Sequence, residues 1–512
     1  MAERNEEFEL KFTGSPTEIA ALPQSLIVSA LCNNKGEWER LDTTCYDTPD
    51  GDLALSGISL RLRNEGGQLV QAVKASRAGG TSIRRDEVET QLTKTAEFPA
   101  RSGDREFDKI LQQVSDKLMP IARTVTDRWT ALVTFKRSQI ELAVDLGRAE
   151  SWSPTGVHFQ APLAELELEL KDGVHEDVFN LGRLIARNGA FRLCAKSKLE
   201  TALALTEGGS FRIEPPAKIT AISDEPVGDV LQRVLGAIAM RLASLQAPLI
   251  EARRVEGVHQ MRVALRRLRA VERVFRPHIQ SRHVADLAAS ARVFTRQMAP
   301  ARDWDVFIEE TMSTSLESGY APACNSHLNV AAQAKRAEGW ADAVAAISDP
   351  AFTLFLIDLM EASVRTPWRK KARNGLALPV HEFAPRVLDR ALKKAVKTAK
   401  RIRPGHIEDL HQLRIALKKL RYPVQMFRTI YPKDQRRDYM AALAALQQNF
   451  GVVNDAVVAQ SLANEAAEGN GDDAMRAAGF VCGYKAAEAE AAASKIETAW
   501  ATFVAMKPFW RE

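Results

Sequence analysis

A chain of 512 residues exceeds what one hydrophobic core normally supports, so two or three domains are expected. Its composition, 46% apolar and 26% charged, is that of an ordinary soluble protein. The net charge of +5 hides an opposition: residues 1–210 carry 26 Lys and Arg against 32 Asp and Glu, net −6, while residues 211–512 carry 44 against 33, net +11. The two halves therefore have different electrostatic roles. Cys32, Cys45, Cys194, Cys324 and Cys482 are odd in number, scattered and never in C-x-x-C spacing. That argues against a disulfide framework or a thiolate zinc site and fits a reducing cytoplasm. No apolar run approaches the roughly 20 residues that span a bilayer, and the opening MAERNEEFEL is acidic where a signal peptide would be basic and then apolar. The expectation is a cytoplasmic protein without a membrane partner.

The first element is a strand. In Glu7-Phe8-Glu9-Leu10-Lys11, alternation puts two carboxylates and an ammonium on one face and Phe8, Leu10 and Phe12 on the other. Period-two patterning recurs at Ser59 to Arg63, Gln68 to Lys74, Arg84 to Gln91, Ala131 to Phe135, Gln139 to Val144 and Ala164 to Lys171, with turns at Gly66-Gly67 and Gly79-Gly80. Helical stretches interrupt near Ser15 to Asn33, Asp104 to Leu118 and Glu176 to Asn188. The pattern predicts a mostly antiparallel sheet of about eight strands with a few helices.

These strands repeatedly place charge on one face. Arg61 and Arg63 share a face, Lys74 ends the next strand, and Arg85, Glu87 and Glu89 share another. Arg128 and Asp145 continue the series, then Glu165, Glu167 and Glu169 alternating with Leu166, Leu168 and Leu170, then Lys196 and Lys198. One such strand simply faces water. Several of them, each with an apolar opposite face, suit a barrel with a charged interior and helices outside. Arg and Lys neutralise phosphate oxygens, and clustered carboxylates bind Mg²⁺ or Mn²⁺. Together they suggest a triphosphate handled with divalent metal. No Walker-type glycine loop offers a nucleotide fold instead.

Glu7-x-Glu9-x-Lys11 resembles the ExExK signature of the CYTH domains, the triphosphate tunnel metalloenzymes. The likeness continues through Tyr46-Asp47-Thr48, Arg61 and Arg63, Lys74, Arg85-x-Glu87-x-Glu89, Arg128, Asp145, the Glu165 to Lys171 strand and Ser197-Lys198. Ala72 departs from relatives that place a threonine ahead of the lysine. The resemblance implies an α+β chain opening with an eight-stranded antiparallel barrel tunnel over residues 1–205. It implies catalytic Glu7, Glu9, Lys11, Glu165, Glu167 and Glu169, and substrate contacts at Arg61, Arg63, Lys74, Arg85, Glu87, Arg128, Lys196 and Lys198. The implied metal positions are Glu7, Glu9, Asp145, Glu165, Glu167 and Glu169.

Residues 206–221 cluster Gly, Ser and Pro as a linker does. Beyond it the periodicity is helical. Val258-His259-Gln260-Met261-Arg262 recurs as Leu410-His411-Gln412-Leu413-Arg414, and the offset of 152 persists downstream, where Asp303 matches Asp455. That predicts a duplicated bundle of four or five helices per copy, over about 222–365 and 378–506. His259, Arg262, Arg266, Arg269, Arg273 and Arg276 form one stripe beside the apolar stripe Val258, Met261, Leu265, Leu268, Val271 and Phe275. The second copy keeps His411, Arg414, Lys418, Arg421 and Arg428, with Gln425 weakening the stripe and Pro423 expected to kink the helix. A basic helix with Arg390, Lys393, Lys394, Lys397, Lys400 and Arg401 precedes it.

Asp303, Asp305 and Asp455 are expected to brace the arginines, and without a facing carboxylate cluster the stripes favour binding over catalysis. Nucleic acid is the generic partner of such a surface, but few aromatics interleave to stack on bases. This half, over residues 222–506, resembles the CHAD domain, whose members bind inorganic polyphosphate. The resemblance carries that role to His259, Arg262, Arg266, Arg269, Arg273, His411, Arg414, Lys418 and Arg421. The leading expectation is a metal-dependent inorganic triphosphatase that also binds polyphosphate. The rivals are a thiamine-triphosphate-type hydrolase, an adenylate cyclase-like enzyme, a non-catalytic polyphosphate scaffold, and RNA binding by the helical half.

Overall fold

Apolar alternation on one strand face becomes a sheet with one buried side. The computed structural model describes residues 5–32, 35–76, 84–153, 155–206, 211–217, 220–279, 281–313, 325–365, 375–403 and 407–511. Its strands are β1 (Asn5–Thr13), β2 (Glu37–Asp47), β3 (Ile58–Glu65), β4 (Gln68–Ser76), β5 (Arg84–Leu92), β6 (Met119–Phe135), β7 (Ser138–Trp152), β8 (His158–Asp172) and β9 (Arg192–Leu193). They form one antiparallel sheet in the order β5-β4-β3-β2-β6-β7-β8-β1-β9. Among the described residues the strands number nine rather than about eight, the extra one being the two-residue β9 on β1. β1 serves two neighbours, pairing through Asn5 to Phe8 with β5 and through Glu9 to Thr13 with β8. Gly66 and Gly67, at φ of 52° and 95°, make the expected turn between β3 and β4. Gly79 and Gly80 lie outside the described residues.

The chain divides into two compact units, residues 1–216 with 235–257 and 347–366, and residues 217–234 with 258–346 and 367–512. In the first, the apolar face of β1 and β8 packs under helix His175–Ala186, where the Phe8 and Phe179 rings meet edge to face at 5.7 Å. Helix and sheet are so close at Gly182 that an added Cβ would stand 2.6 Å from Leu10 Cδ2. The segments 235–257 and 347–366 follow the linker in sequence but belong to this unit. Arg183 Nε donates to Asp358 at 2.8 Å and also pairs with Glu361. The Thr353 hydroxyl donates to the Phe191 carbonyl at 2.8 Å.

The helical half shows its duplication in the backbone. Helices Val255–Ile279 and Ile407–Phe427 begin 152 residues apart. Among the described residues the first copy, beginning at Val227, runs through seven α-helices and the second, beginning at Val380, through five, so the first exceeds the four or five expected. The entries to the two copies hold each other: Val227 N donates to Leu378 O at 3.0 Å and Val380 N to Glu225 O at 3.1 Å. The copies differ where proline intervenes. Pro300 sits in the first turn of helix Ala299–Val306, separate from helix Arg282–Gln297, whereas its counterpart Val452 lies inside the single helix Lys433–Ala467. The second motif helix runs past Pro423 to Phe427, so loss of one backbone bond does not end it. All six residues of the first apolar stripe, Val258 to Phe275, are fully buried.

One expectation needs correcting. Val227–Ile250 is long and apolar enough to cross a bilayer, and it is mostly buried inside the protein, as suits a core helix. The helices Asn325–Ser348 and Pro350–Arg365, bent by 53° at their junction, reach that length and apolarity only when taken together.

Candidate functional site

Strand register decides which charges meet. Glu9 on β1 stands opposite Glu169 on β8, and Glu169 stands opposite Glu141 on β7, making a row of three carboxylates across three strands. One step along, Lys11 faces Glu167; a step further, Glu165 faces Asp145, which in turn faces Arg128 on β6. Opposed residues in an antiparallel pair have Cα atoms about 4.5–5.5 Å apart, so every acid here has a charged neighbour within reach.

Apart from Glu165, these side chains line a cavity of about 790 Å³ together with Glu7, Arg61, Arg63, Lys74, Glu87, Glu89, Lys171, Lys198 and Glu200. Small residues on the same face, Thr43, Cys45 and Ser59, leave the space open. At one side, Lys74 Nζ contacts Glu7 at 2.7 Å and Glu87 at 3.1 Å, while Arg61 contacts Glu87 at 2.6 Å and Arg63 contacts Glu89 at 3.1 Å. At the other, Lys198 reaches Glu167 at 2.6 Å, Asp145 at 3.1 Å and Glu165 at 3.4 Å. Arg128 reaches both Asp145 and Glu167 at 2.6 Å, and Lys11 reaches Glu167 at 2.8 Å and Glu9 at 3.2 Å.

The network sets the acidities. Burial pushes the Glu167 carboxyl up, but Lys11, Lys198 and Arg128 outweigh it and hold the group well below the usual carboxylate range. Asp145, fully buried, is likewise lowered, its burial outweighed by Lys198 and Arg128. Glu165, 3% exposed, goes the other way because burial exceeds the help of Lys198 and Lys11. Glu169 is also raised by burial, with Glu7 and Glu141 adding repulsion that Lys171 only partly offsets.

The six carboxylates anticipated for metal thus fall into two groups. Asp145, Glu165 and Glu167 are held by Arg128 and Lys198, while Glu9 and Glu169 stand in the acidic row and Glu7, on the same strand as Glu9, pairs with Lys74. Among the described residues no group of three or more His, Cys, Asp or Glu is arranged to hold a metal ion, since ammonium and guanidinium groups stand among the carboxylates. In chemical type the all-oxygen set is the kind that Mg²⁺ or Mn²⁺ takes.

Most of the substrate residues expected from sequence come together here, with exceptions. Lys196 lines a second cavity of about 280 Å³, as does Glu165, rather than the main one. The side chain of Arg85 lies outside the described residues, although its backbone pairs with Glu7. Asp47 does not reach the cavity: its carboxylate accepts from the backbone of Thr48, Leu53 and Ala54 at 2.7–3.1 Å and caps the short helix Asp52–Leu55. Sequence reading passed over Glu141 and Lys171. Lys171 contacts Glu169 at 2.8 Å and Glu141 at 3.3 Å. The alternation of Glu141, Ala143 and Asp145 was the available signal.

In the second unit the two basic stripes converge. Arg266 of the first motif helix is electrostatically coupled to Arg414 and Lys418 of the second. Burial, with Arg414 and Arg266 repelling it, pushes the Lys418 ammonium down to about 8. Burial also lowers Arg269, with Arg273, Arg292 and Arg296 as like-charged neighbours. Arg421 donates to Gln447 at 2.8 Å. His411 is exposed and His259 half-buried. Arg266, Arg269, Arg273, Arg414 and Lys418 have no carboxylate within ion-pair distance among the described residues.

A CYTH domain model matches residues 5–203 and a CHAD domain model matches residues 233–464. An inorganic triphosphatase of Haemophilus influenzae is 31% identical over 176 residues, 34% of this chain and 48% of that protein, so the chain spans about half the length of this curated relative. Among solved structures, the CHAD domain of the plant Ricinus communis is 25% identical and covers 57% of this chain and 97% of its own, with a TM-score of 0.49. PptA from Streptomyces chartreusis is 16% identical, covers 54% of this chain and 99% of its own, and gives a TM-score of 0.44. HpAC1 from Hippeastrum, described as having a dominant triphosphatase activity, is 16% identical, covers 40% of this chain and 96% of its own, and gives 0.26.

Proposed function

Because the chain joins a CYTH domain at residues 5–203 to a CHAD domain at residues 233–464, we propose that it is a metal-dependent inorganic triphosphatase whose helical half binds inorganic polyphosphate. The observation that carries the enzymatic half is the cavity of about 790 Å³ into which Arg61, Arg63, Lys74, Arg128 and Lys198 converge from β3, β4, β6 and the helix Lys198–Thr206. Cations arriving from separate segments suit a ligand with anionic oxygens along its whole length. Arg grips such oxygens through paired donors and Lys as a point charge. The double pairing of β1 supports reading the sheet as a closed tunnel.

Among the described lining residues no aromatic ring is present, so nothing stacks on a nucleobase or a thiamine ring. That favours an inorganic triphosphate over an organic one. The same lining carries nine carboxylates against seven Lys and Arg. A polyanion arriving alone meets a net acidic wall, whereas one accompanied by Mg²⁺ or Mn²⁺ does not. When bound, the ion would polarise phosphoryl oxygens and lower the pKa of a water. Glu7, Glu9 and Glu169 would hold it, while Lys198 and Arg128 keep Asp145 and Glu167 ionised and fixed.

The test is phosphate release from tripolyphosphate by purified protein with Mg²⁺ or Mn²⁺; no release sinks the enzymatic reading. Glu7→Gln or Glu169→Gln is expected to abolish turnover and leave polyphosphate binding intact. A panel including thiamine triphosphate and ATP separates the organic substrates and cyclisation, and metal-dependent release dismisses a non-catalytic scaffold. For the helical half, the support is two converging basic stripes with few aromatics; competition of RNA against polyphosphate at matched salt decides between those ligands. A cytoplasmic setting completes the reading.

A further inference from the structure

The second unit carries two equivalent aspartates, Asp303 and Asp455, 152 residues apart, beside the equivalent arginines Arg262 and Arg414. A bracing carboxylate has a recognisable geometry here. Asp305, fully buried, accepts from Arg336 Nε at 2.6 Å and from Trp340 Nε1 at 3.1 Å. Asp303 has nothing comparable: its approach to Arg262 is 3.6 Å, beyond hydrogen-bond reach in this pairing. Asp455 takes a side-chain hydrogen bond from its neighbour Asn454 but has no cation within ion-pair distance among the described residues. Meanwhile the Nε atoms of both Arg262 and Arg414 are buried without an acceptor. The two copies thus repeat one arrangement, an under-used guanidinium beside a loosely engaged carboxylate. The brace is not repeated, since the counterpart of Asp305 is Val457.

We propose that Asp303 and Asp455 are built-in competitors of the polyanion, each standing at the anion-binding end of one motif helix and lowering its affinity for phosphate. The proposal rests on reading this unit as a polyphosphate binder. Physically, a carboxylate a few ångströms from the cations that grip a polyanion repels that polyanion while partly satisfying the cations in its absence. Burial raises both groups, and each also feels a neighbouring carboxylate, Asp455 for Asp303 and Glu310 for Asp455. Neither shows the lowered pKa of a well-satisfied ion pair.

The experiment is titration of the full chain with inorganic polyphosphate at low salt, for the wild type, Asp303→Asn, Asp455→Asn and the double variant, with thermal midpoints recorded alongside. Each single variant is expected to bind roughly three- to tenfold more tightly and the double variant more tightly still, the gain shrinking as salt is raised. Asp303→Glu, which keeps the charge, is expected to keep the wild-type affinity. Asp305→Asn is expected to lower the thermal midpoint without any gain in binding. Unchanged or weaker binding by well-folded Asp303→Asn and Asp455→Asn overturns the proposal and makes these residues braces. Absence of polyphosphate binding by every protein in the set overturns the polyphosphate reading itself, and the competitors with it.

Discussion

Lys198 Nζ lies 2.6 Å from the Glu167 carboxylate, joining the helix that follows the sheet to the middle acid of β8. The same ammonium stands within 3.4 Å of Asp145 and Glu165, so one side chain serves three buried acids from two strands.

Removing it is therefore costly. Lys198→Met leaves Asp145, Glu165 and Glu167 with fewer cations than buried charge requires, and the expected loss is about 3 kcal/mol of folding stability. Denaturant unfolding of the full chain measures this. Triphosphate hydrolysis is expected to fall by more than tenfold in the fraction that remains folded.

Acid should unfold the first unit through the same cluster. Glu167 and Asp145 have folded pKa values below their ordinary ones of 4.5 and 3.8. Their contribution is complete above about pH 5 and is lost as pH falls through the lowered folded values. Glu165, raised by burial, works in the opposite sense, costing stability once ionised above its raised value. Stability measured between pH 2 and 7 is expected to fall less steeply at the acid end for Glu167→Gln than for the wild type. Glu165→Gln is expected to keep the acid-end slope.

At the acidic row, Lys171 holds Glu169 and Glu141. Lys171→Met leaves these carboxylates without their nearest cation, so Mg²⁺ or Mn²⁺ is expected to bind about tenfold more tightly by calorimetry. Glu141→Gln is expected to weaken ion binding by a similar factor.

Lys418, with its ammonium at about 8, ties polyphosphate binding to pH. A polyanion favours the charged form, so binding takes up a proton when the free protein has lost it. Affinity is expected to be level below about pH 7 and to fall as pH rises through 8. Lys418→Arg should flatten the curve, because guanidinium keeps its proton throughout.

Close packing of helix on sheet predicts a core effect. Gly182→Ala places a methyl 2.6 Å from Leu10 Cδ2, and overpacking of that kind is expected to cost about 1–3 kcal/mol by denaturant unfolding.

Sequence alone determined the features that depend on local period. The alternation of Glu165, Glu167 and Glu169 with leucines fixed which way those acids point, because a strand has period two whatever surrounds it. The ExExK strand and the apolar stripe from Val258 to Phe275 were legible for the same reason, and the 152-residue repeat needed only comparison of the chain with itself. β2 was not legible, since EWERLDTTCYD does not alternate and four of its first residues are exposed. Only tertiary structure decided the rest: that Glu141 joins Glu9 and Glu169 in a row, that Lys196 leaves the main cavity, that Asp47 caps a helix, and that residues 235–257 and 347–366 belong with the sheet. Each of these depends on which distant segments become neighbours, a matter of strand register and packing that no local pattern encodes. The side chains were readable from the sequence, but their partners were set by the fold.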